Sequence, residues 1–339
     1  MTYKITIQPS GHQFENEEEE TILDAALRNG FAFSYGCRSG SCGACTGKVI
    51  DGDYHYEEEE DPLALSEHDK KTGMCVFCQA IPDSDLTLEV REISAAKDIV
   101  VKTLPSRVVK MELLAPDVMR LYLKLPMVER MQFLAGQYLD ILLKDGRRRS
   151  FSIANAPHDD EYLELHIRHI NGGEFTQHVF DEMKEKALLR IEGPLGTFFL
   201  REESERPIIL IAGGTGFAPL KGILEHAFAE GMTRSIHLYW GARDQAGLYL
   251  PELVESWVTQ YGNFTYTPVL SESKVEDQWQ GRTGLVHAAV AEDYADFSSY
   301  EIYASGHPEM IESGKKAFTE KGMNQDHYYY DAFTFANDQ

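Results

Sequence analysis

Residues 37–45 read CRSGSCGAC, three cysteines in nine positions with only small or polar residues between them. The chain of 339 residues has five cysteines in all, and the other two, Cys75 and Cys78, sit together in GMCVFCQA. An odd count placed this unevenly does not suit the paired framework of a disulfide-stapled secreted domain. It suits thiolates gathered around metal. Zinc sites usually read C-x2-C twice, whereas Cys37, Cys42 and Cys45 give C-x4-C-x2-C, the spacing that holds a [2Fe–2S] cluster with a distant fourth cysteine. Bridging sulfides and thiolates are electron-rich, so the loop must wrap closely and aim N–H groups inward. Gly40, Gly43 and Ala44 permit that approach, and Ser39 and Ser41 add donors. Spacing leaves the fourth ligand open, since Cys75 follows Cys45 after 29 intervening residues and Cys78 after 32.

The length allows two or three domains, and 43% hydrophobic with 26% charged residues is the balance of a soluble globular protein. The start, MTYKITIQPSG, lacks a basic segment followed by an apolar run, and no stretch approaches ~18 uninterrupted apolar residues. The expectation is a cytoplasmic protein with no membrane partner. A net charge of -23 repels phosphates and excludes nucleic acid as a partner. Residues 1–95 hold 19 acidic against 7 basic side chains, or -12, through runs such as Glu17–Glu20 and Glu57–Glu60. Two readings of these runs stand side by side: solvated loops, or an acidic face for docking a basic redox partner.

The patterning predicts a multidomain chain in three blocks. Residues 1–93 combine the alternating strand YKITI, a short helix over TILDAALRNG and the strands GKVIDG and LTLEV, a small α+β domain around the cysteine loop. After the connector REISAAKD, residues 101–203 carry the strands MRLYLKL, QYLDILL, SFSIANA and YLELHIRHI with one helix, TQHVFDEMKEKA. This reads as an antiparallel β-barrel with a capping helix. His166 and His169 there line barrel turns rather than bind metal. Residues 206–339 alternate strand and helix from the apolar run PIILIAG onward, a doubly wound α/β domain with a parallel sheet.

Three strings in order, VFCQA, RSFS and IAGGTGFAPL, give the chain its resemblance. The first block is similar to plant-type ferredoxin domains, which have the β-grasp fold, and its VFCQA frame implies Cys78 as the fourth ligand beside Cys37, Cys42 and Cys45. The rest resembles the ferredoxin–NADP reductase superfamily, whose flavin pattern is R-x-Y/F-S/T. That resemblance implies that Arg149 grips the FAD phosphate, Ser150 and Phe151 border the flavin with Phe151 on the ring, and Ser152 bonds near the hydride-accepting nitrogen. It also implies FAD contacts from Ile167 and Arg168, and a pyrophosphate cradle from Gly172, Gly173 and Thr176. Gly213, Gly214, Thr215, Gly216 and Pro219 match the nicotinamide-domain string, and Ser305 and Gly306 stand where the family has C-G-x-P. Ser152 and Ser305 are thus the candidate catalytic residues, with Ser305 replacing a thiol. Asp244 in GARD repels a 2′-phosphate and favours NADH over NADPH, while Arg243 beside it argues the other way; Phe333, in the D-x-F ending, is a candidate flavin shield.

The implied function is that of an oxidoreductase passing electrons from NADH through FAD and the [2Fe–2S] cluster to a partner protein. That acceptor is expected to be an oxygenase component, or alternatively a deoxysugar dehydrase, docking near the acidic first block. A redox sensor without turnover would need an output domain, and no residues are left to form one.

Overall fold

In the first segment Ile5 and Ile7 alternate with Lys4, Thr6 and Gln8, and the two isoleucines are fully buried in strand β1 (Lys4–Gln8). The structure, a computed structural model, describes residues 2–57, 61–93, 99–273 and 278–334. Three positions of the acidic run at 57–60, part of the connector REISAAKD and the last five residues of the tail lie outside the described residues. The chain divides into two compact units, Met1–Val100 and Val101–Gln339.

The smaller unit adds β2 (Gln13–Glu15), α1 (Ile22–Arg28), β3 (Thr46–Asp51), β4 (Tyr54–Tyr56), α2 (Glu67–Lys71), β5 (Met74–Val76), β6 (Ala80–Pro82) and β7 (Leu86–Glu89). Five strands form a mixed sheet in the order β2-β1-β7-β3-β5, and β4 pairs with β6 apart from it. The expected helix forms as α1. Thr21 caps it by accepting from Asp24 N at 3.2 Å, a contact typically worth about 1 kcal/mol, and Ile22, Leu23, Ala25 and Ala26 are buried.

The larger unit begins with β8 (Lys102–Ala115), β9 (Val118–Lys124), β10 (Tyr138–Leu142), β11 (Arg148–Ser152), β12 (Leu163–Arg168), α3 (Glu174–Asp181) and β13 (Leu188–Leu195). The strands pair antiparallel in the order β11-β10-β13-β8-β9-β12, and an Ile153–Leu165 bridge closes the ends into a barrel. Two strands were not legible in the pattern, β8 and β13. Register shifts at Val108/Lys110 and Leu113/Ala115 break the period of two along β8. The capping helix starts and ends earlier than its string suggested. Lys186 takes φ 76° and its N–H bonds Val108 O at 2.7 Å, so pairing with the barrel edge captures the last residues of the expected helix.

The remaining elements are β14 (Ile208–Gly213), α4 (Phe217–Ala229), β15 (Ile236–Ala242), α5 (Pro251–Gln260), β16 (Phe264–Leu270), β17 (Arg282–Thr283), α6 (Val286–Asp293), β18 (Glu301–Gly306), α7 (Pro308–Thr319) and β19 (Tyr328–Ala332). They form a parallel sheet in the order β17-β16-β15-β14-β18-β19. Central β14 explains its own composition. Leu210 and Ala212 enter one core with α4 and α5, while Ile209 and Ile211 enter another with α6 and α7. A strand packed on both faces has no polar side to show.

Burial here makes stability depend on pH. His237 on β15 lies 2.9 Å from Tyr294 Oη and 2.9 Å from Thr267 Oγ1, and burial pushes its pKa down to about 4. The unfolded imidazole takes a proton near 6.5 while the folded one resists it, so the unfolded state binds more protons and stability is lost as pH falls from about 6.5 towards 4. Differential scanning calorimetry from pH 7.5 to 5 should show a falling unfolding midpoint. His237→Gln should fall less steeply over that interval; a slope equal to that of the parent would contradict the account.

Candidate functional site

The cysteine loop leaves α1 and enters β3, and it is tied back to α1 by Arg38, whose Nη2 lies 2.7 Å from Asp24 Oδ1. Gly40 turns the loop at φ 75°, and a Cβ there would come 3.0 Å from Gln79 Cγ and 3.1 Å from Pro62 Cβ. The positive φ and the close neighbours favour glycine in this turn. N–H groups then point at sulfur. Ser39 N and Cys42 N donate to Cys37 Sγ at 3.4 and 3.3 Å, Ser41 Oγ donates to it at 3.4 Å, and Cys37 N donates to Cys42 Sγ at 3.4 Å.

Four thiols gather in two pairs. Hydrogen bonding between the free Cys37 and Cys42, with the Ser39 and Ser41 donors, holds the Cys37 thiol down to about 4 and pushes that of Cys42 up. A hydrogen bond between the free thiols of Cys45 and Cys78 holds Cys78 below and Cys45 above the ordinary thiol range. Gln79 Nε2 also donates to Cys78 Sγ, at 3.8 Å. Among the described residues no three His, Cys, Asp or Glu side chains converge as a single metal ion would require. Two pairs of thiols fit a two-iron cluster, in which each iron takes two protein ligands. Cys75 is placed differently. It is fully buried, accepts from Tyr56 Oη at 3.7 Å, and burial raises its thiol to about 12.

The flavin string forms β11, paired with β10 so that Ser152 faces Tyr138 and Phe151 faces Leu139. Arg149 is half-buried; burial, with the charge of Arg147, lowers its pKa. Its Nη1 donates to Arg148 O at 2.8 Å. Ser150 Oγ bonds Asp140 Oδ1 at 2.6 Å, and Phe151 leans on Phe175 at 5.6 Å on the flank of the barrel core. Ile167 is buried in that core, so only its main chain is available to a ligand. Arg168 lies 3.3 Å from Asp117 and against the turn at Gly214, where a Cβ would meet its Nη1 at 2.8 Å. Gly172 and Gly173 lead into α3. The Thr176 hydroxyl is spent inside that turn, on Gly173 O at 3.0 Å and Ile170 N at 3.1 Å.

The nicotinamide string makes the end of β14, the turn Gly214–Gly216 and the start of α4, with Pro219 inside the first turn, where helix N–H groups lack intrahelical partners anyway. Gly216 packs against the main chain of β18 so closely that a Cβ would sit 2.0 Å from Ser305 O. Ser305 and Gly306 end β18 at the point where the sheet order reverses, the usual ligand crevice of such folds. Ser305 is fully buried, and its Oγ has no hydrogen-bond partner among the described residues. A buried hydroxyl left without a partner costs about 1–3 kcal/mol. Arg243 and Asp244 are exposed after β15, and Asp244 Oδ1 accepts from Gly247 N at 3.1 Å. Phe333 is half-buried with its N–H on Gly306 O at 2.8 Å.

One residue of this crevice escaped the sequence reading. Ser152 Oγ donates to Asp331 Oδ2 at 3.1 Å, and Asp331 is paired beside Ser305 in the β18–β19 ladder. The D-x-F ending held the signal, but a single carboxylate 179 residues from Ser152 declares no contact in sequence.

Comparison with known proteins agrees with this anatomy. Residues 5–83 match the family model of the 2Fe-2S iron-sulfur cluster binding domain, 105–200 that of the oxidoreductase FAD-binding domain and 210–316 that of the oxidoreductase NAD-binding domain. The CDP-6-deoxy-L-threo-D-glycero-4-hexulose-3-dehydrase reductase of Yersinia pestis is 38% identical over 333 residues, covering 98% of this chain and 99% of the relative. The chain belongs to the ferredoxin-fused flavin reductases. The phenol hydroxylase P5 protein of Acinetobacter pittii is 35% identical over 343 residues, 100% of this chain and 96% of that one. The crystal structure of an Amycolatopsis cytochrome P450 reductase superposes with a TM-score of 0.82 at 30% identity, covering 98% and 99% of the two chains. As a member of this family the protein is an NAD(P)H-dependent flavin and iron–sulfur oxidoreductase, with domains for a [2Fe–2S] cluster, FAD and NAD(P). Its relatives are reductase components that serve oxygenase or dehydrase partners. No helix among the described residues is long and apolar enough to cross a membrane.

Substitution separates the two candidate fourth ligands. Cys78→Ser should lose most of the visible absorbance of the cluster, whereas Cys75→Ser should keep it. Bleaching by Cys75→Ser alone would reverse the assignment.

Proposed function

We propose that this reductase takes electrons from NADH and releases them singly, through a cluster held by Cys37, Cys42, Cys45 and Cys78, to a separate acceptor protein in the cytoplasm. Ferredoxin, flavin and nicotinamide domains are assigned to residues 1–93, 101–203 and 206–339. The observation that carries the reading is the Ser152–Asp331 contact, which brings the hydroxyl of the flavin strand to the same crevice as Ser305. When bound, the flavin and the cluster together convert a two-electron donation into one-electron deliveries.

The chain's own residues bind and orient. Arg149 would hold the flavin phosphate, where a charge-assisted bond is worth about 1.5–3 kcal/mol. The N–H groups at the start of α3, behind Gly172 and Gly173, would take the pyrophosphate, with Arg168 above Gly214 lending charge. Ser150 and Phe151 would shape the flavin rim and Phe333 its outer side. The turn Gly213–Gly216 would cradle the dinucleotide. Ser152 Oγ would orient the ring, held in place by Asp331, and Ser305 Oγ would donate to the nicotinamide. Asp244 supports NADH rather than NADPH. Its carboxylate accepts from Gly247 N–H and opposes a 2′-phosphate, with Arg243, equally exposed beside it, as the opposing charge.

The acceptor is assigned as an oxygenase component. The 38% identity to a dehydrase reductase favours a second reading, an acceptor that works on a nucleotide-linked deoxysugar. Oxygen separates them: consumption of NADH that requires O2 marks an oxygenase, and anaerobic consumption that requires the sugar nucleotide marks a dehydrase.

A chain starting at Val101 should bind FAD and reduce a small two-electron dye with NADH, yet fail with cytochrome c. Equal cytochrome c rates with and without residues 1–93 would refute the route through the cluster. The -12 on the first 95 residues is proposed to steer a basic acceptor to the face around residues 37–45. At limiting acceptor, turnover should then fall as salt rises past ~0.1 M, where the Debye length is about 10 Å, while flavin reduction by NADH changes far less. A flat acceptor-dependent rate would remove the docking idea.

A further inference from the structure

Strand β12 reads LELHIR. Leu163, Leu165 and Ile167 enter the barrel core, so Glu164, His166 and Arg168 lie on the outer face, where an antiparallel barrel strand ordinarily meets water. That face is covered instead: Glu164 is 6% and His166 5% exposed. The cover comes from helix α4 and from Tyr249, which lies between β15 and α5. Lys221 of α4, itself 4% exposed, donates from Nζ to Glu164 Oε2 at 3.1 Å and to Ala154 O at 3.2 Å, and pairs with Glu225 at 2.8 Å. His166 Nε2 lies 2.8 Å from Glu164 Oε1, and its Nδ1 lies 3.0 Å from Tyr249 Oη. A carboxylate only accepts, so Nε2 carries the proton and Nδ1 accepts from the tyrosine. Arg120, on the neighbouring β9, stands 3.7 Å from Glu164 and completes the charge set.

This network runs to the glycine turn. The Tyr249 ring stands edge-on to Trp240 at 5.1 Å, and Trp240 Nε1 donates to Gly214 O at 2.9 Å. Arg168 packs on the same glycine. One barrel strand therefore reaches the turn through Arg168, through His166, Tyr249 and Trp240, and through Glu164 and Lys221 at the first helix after it. Burial would raise the Glu164 carboxyl, but its hydrogen bond to His166 and the charges of Lys221 and Arg120 outweigh that and hold it at about 2. Buried ion pairs contribute little net stability, because dehydrating both charges offsets their attraction. Their effect is on geometry, since any other register of α4 on β12 leaves a buried charge without its partner.

We propose that Glu164, His166 and Lys221 are positioning residues, a polar latch that fixes the nicotinamide-binding turn in one register on the flavin barrel and thereby sets the approach of nicotinamide to flavin. The inference rests on the assignment of Gly213–Gly216 and β11 made above. Apolar side chains would fill the same seam but allow α4 to slide.

The test compares the FAD-loaded full chain with Lys221→Met, Glu164→Gln, the double variant and Tyr249→Phe. Stopped-flow reduction by NADH, and by NADH deuterated at the transferred position, gives the limiting rate and its isotope effect. Amide hydrogen exchange of residues 213–222, measured without nucleotide, reports the latch itself. Displacements of an ångström are costly, so each latch variant should slow limiting flavin reduction by about tenfold or more, with a raised isotope effect and little change in the NADH concentration at half-maximum. Exchange at 213–222 should quicken, and the double variant should be less impaired than the two single effects combined, because Lys221 and Glu164 share a contact. A lower unfolding temperature with an unchanged limiting rate, isotope effect and exchange would reduce the network to packing and overturn the proposal, as would additive effects in the double variant. Should Lys221→Met not fold, Tyr249→Phe decides: slower reduction and faster exchange support the latch, and parent-like values overturn it. A parent protein whose flavin NADH does not reduce would defeat the functional reading, and the exchange data would still judge the latch.

Discussion

The parallel ladder between β14 and β18 is the contact on which the larger unit depends. It pairs Ala212 with Ser305 and lets Gly216 lie against the Ser305 main chain at a distance no Cβ would allow. From that approach follow the position of the turn before α4, the burial of the Ser305 hydroxyl and the placing of β19, whose Asp331 then meets Ser152 of the flavin strand. Because β14 feeds cores on both faces of the sheet, its ends cannot shift without disturbing both.

The cysteine loop obeys a different constraint. Sulfur that carries charge near an iron cluster must be solvated by the protein itself, and here main-chain N–H groups and the Ser41 hydroxyl do so. Small residues are required because the donors belong to the backbone. The burial of Cys75 beside Tyr56 shows the opposite case, a thiol kept neutral by its surroundings.

Between barrel and sheet the structure places charge where apolar packing would suffice for stability. A seam of leucines tolerates sliding, while Glu164, Lys221 and His166 satisfy one another in one arrangement. In an enzyme that must hold two bound groups in contact, a unique register matters more than the small energy the pair contributes.

The sequence by itself determined much of this protein. The spacing of Cys37, Cys42 and Cys45, the apolar run of β14 and the period of two in YKITI are local patterns, and each states its element without reference to the rest of the chain. The helix over 22–28 was legible from its cap. β8 was not, since two register shifts erase its alternation, and α3 ended early because pairing at Val108 captured Lys186. The pairing of Cys45 with Cys78, the turning of Cys75 towards Tyr56, the meeting of Ser152 with Asp331 and the covering of the polar face of β12 were decided only by tertiary structure. Alternation along a strand tells which residues share a face, and it does not tell whether that face meets water or another sheet. That depends on contacts between segments far apart in the chain, and no local pattern encodes them.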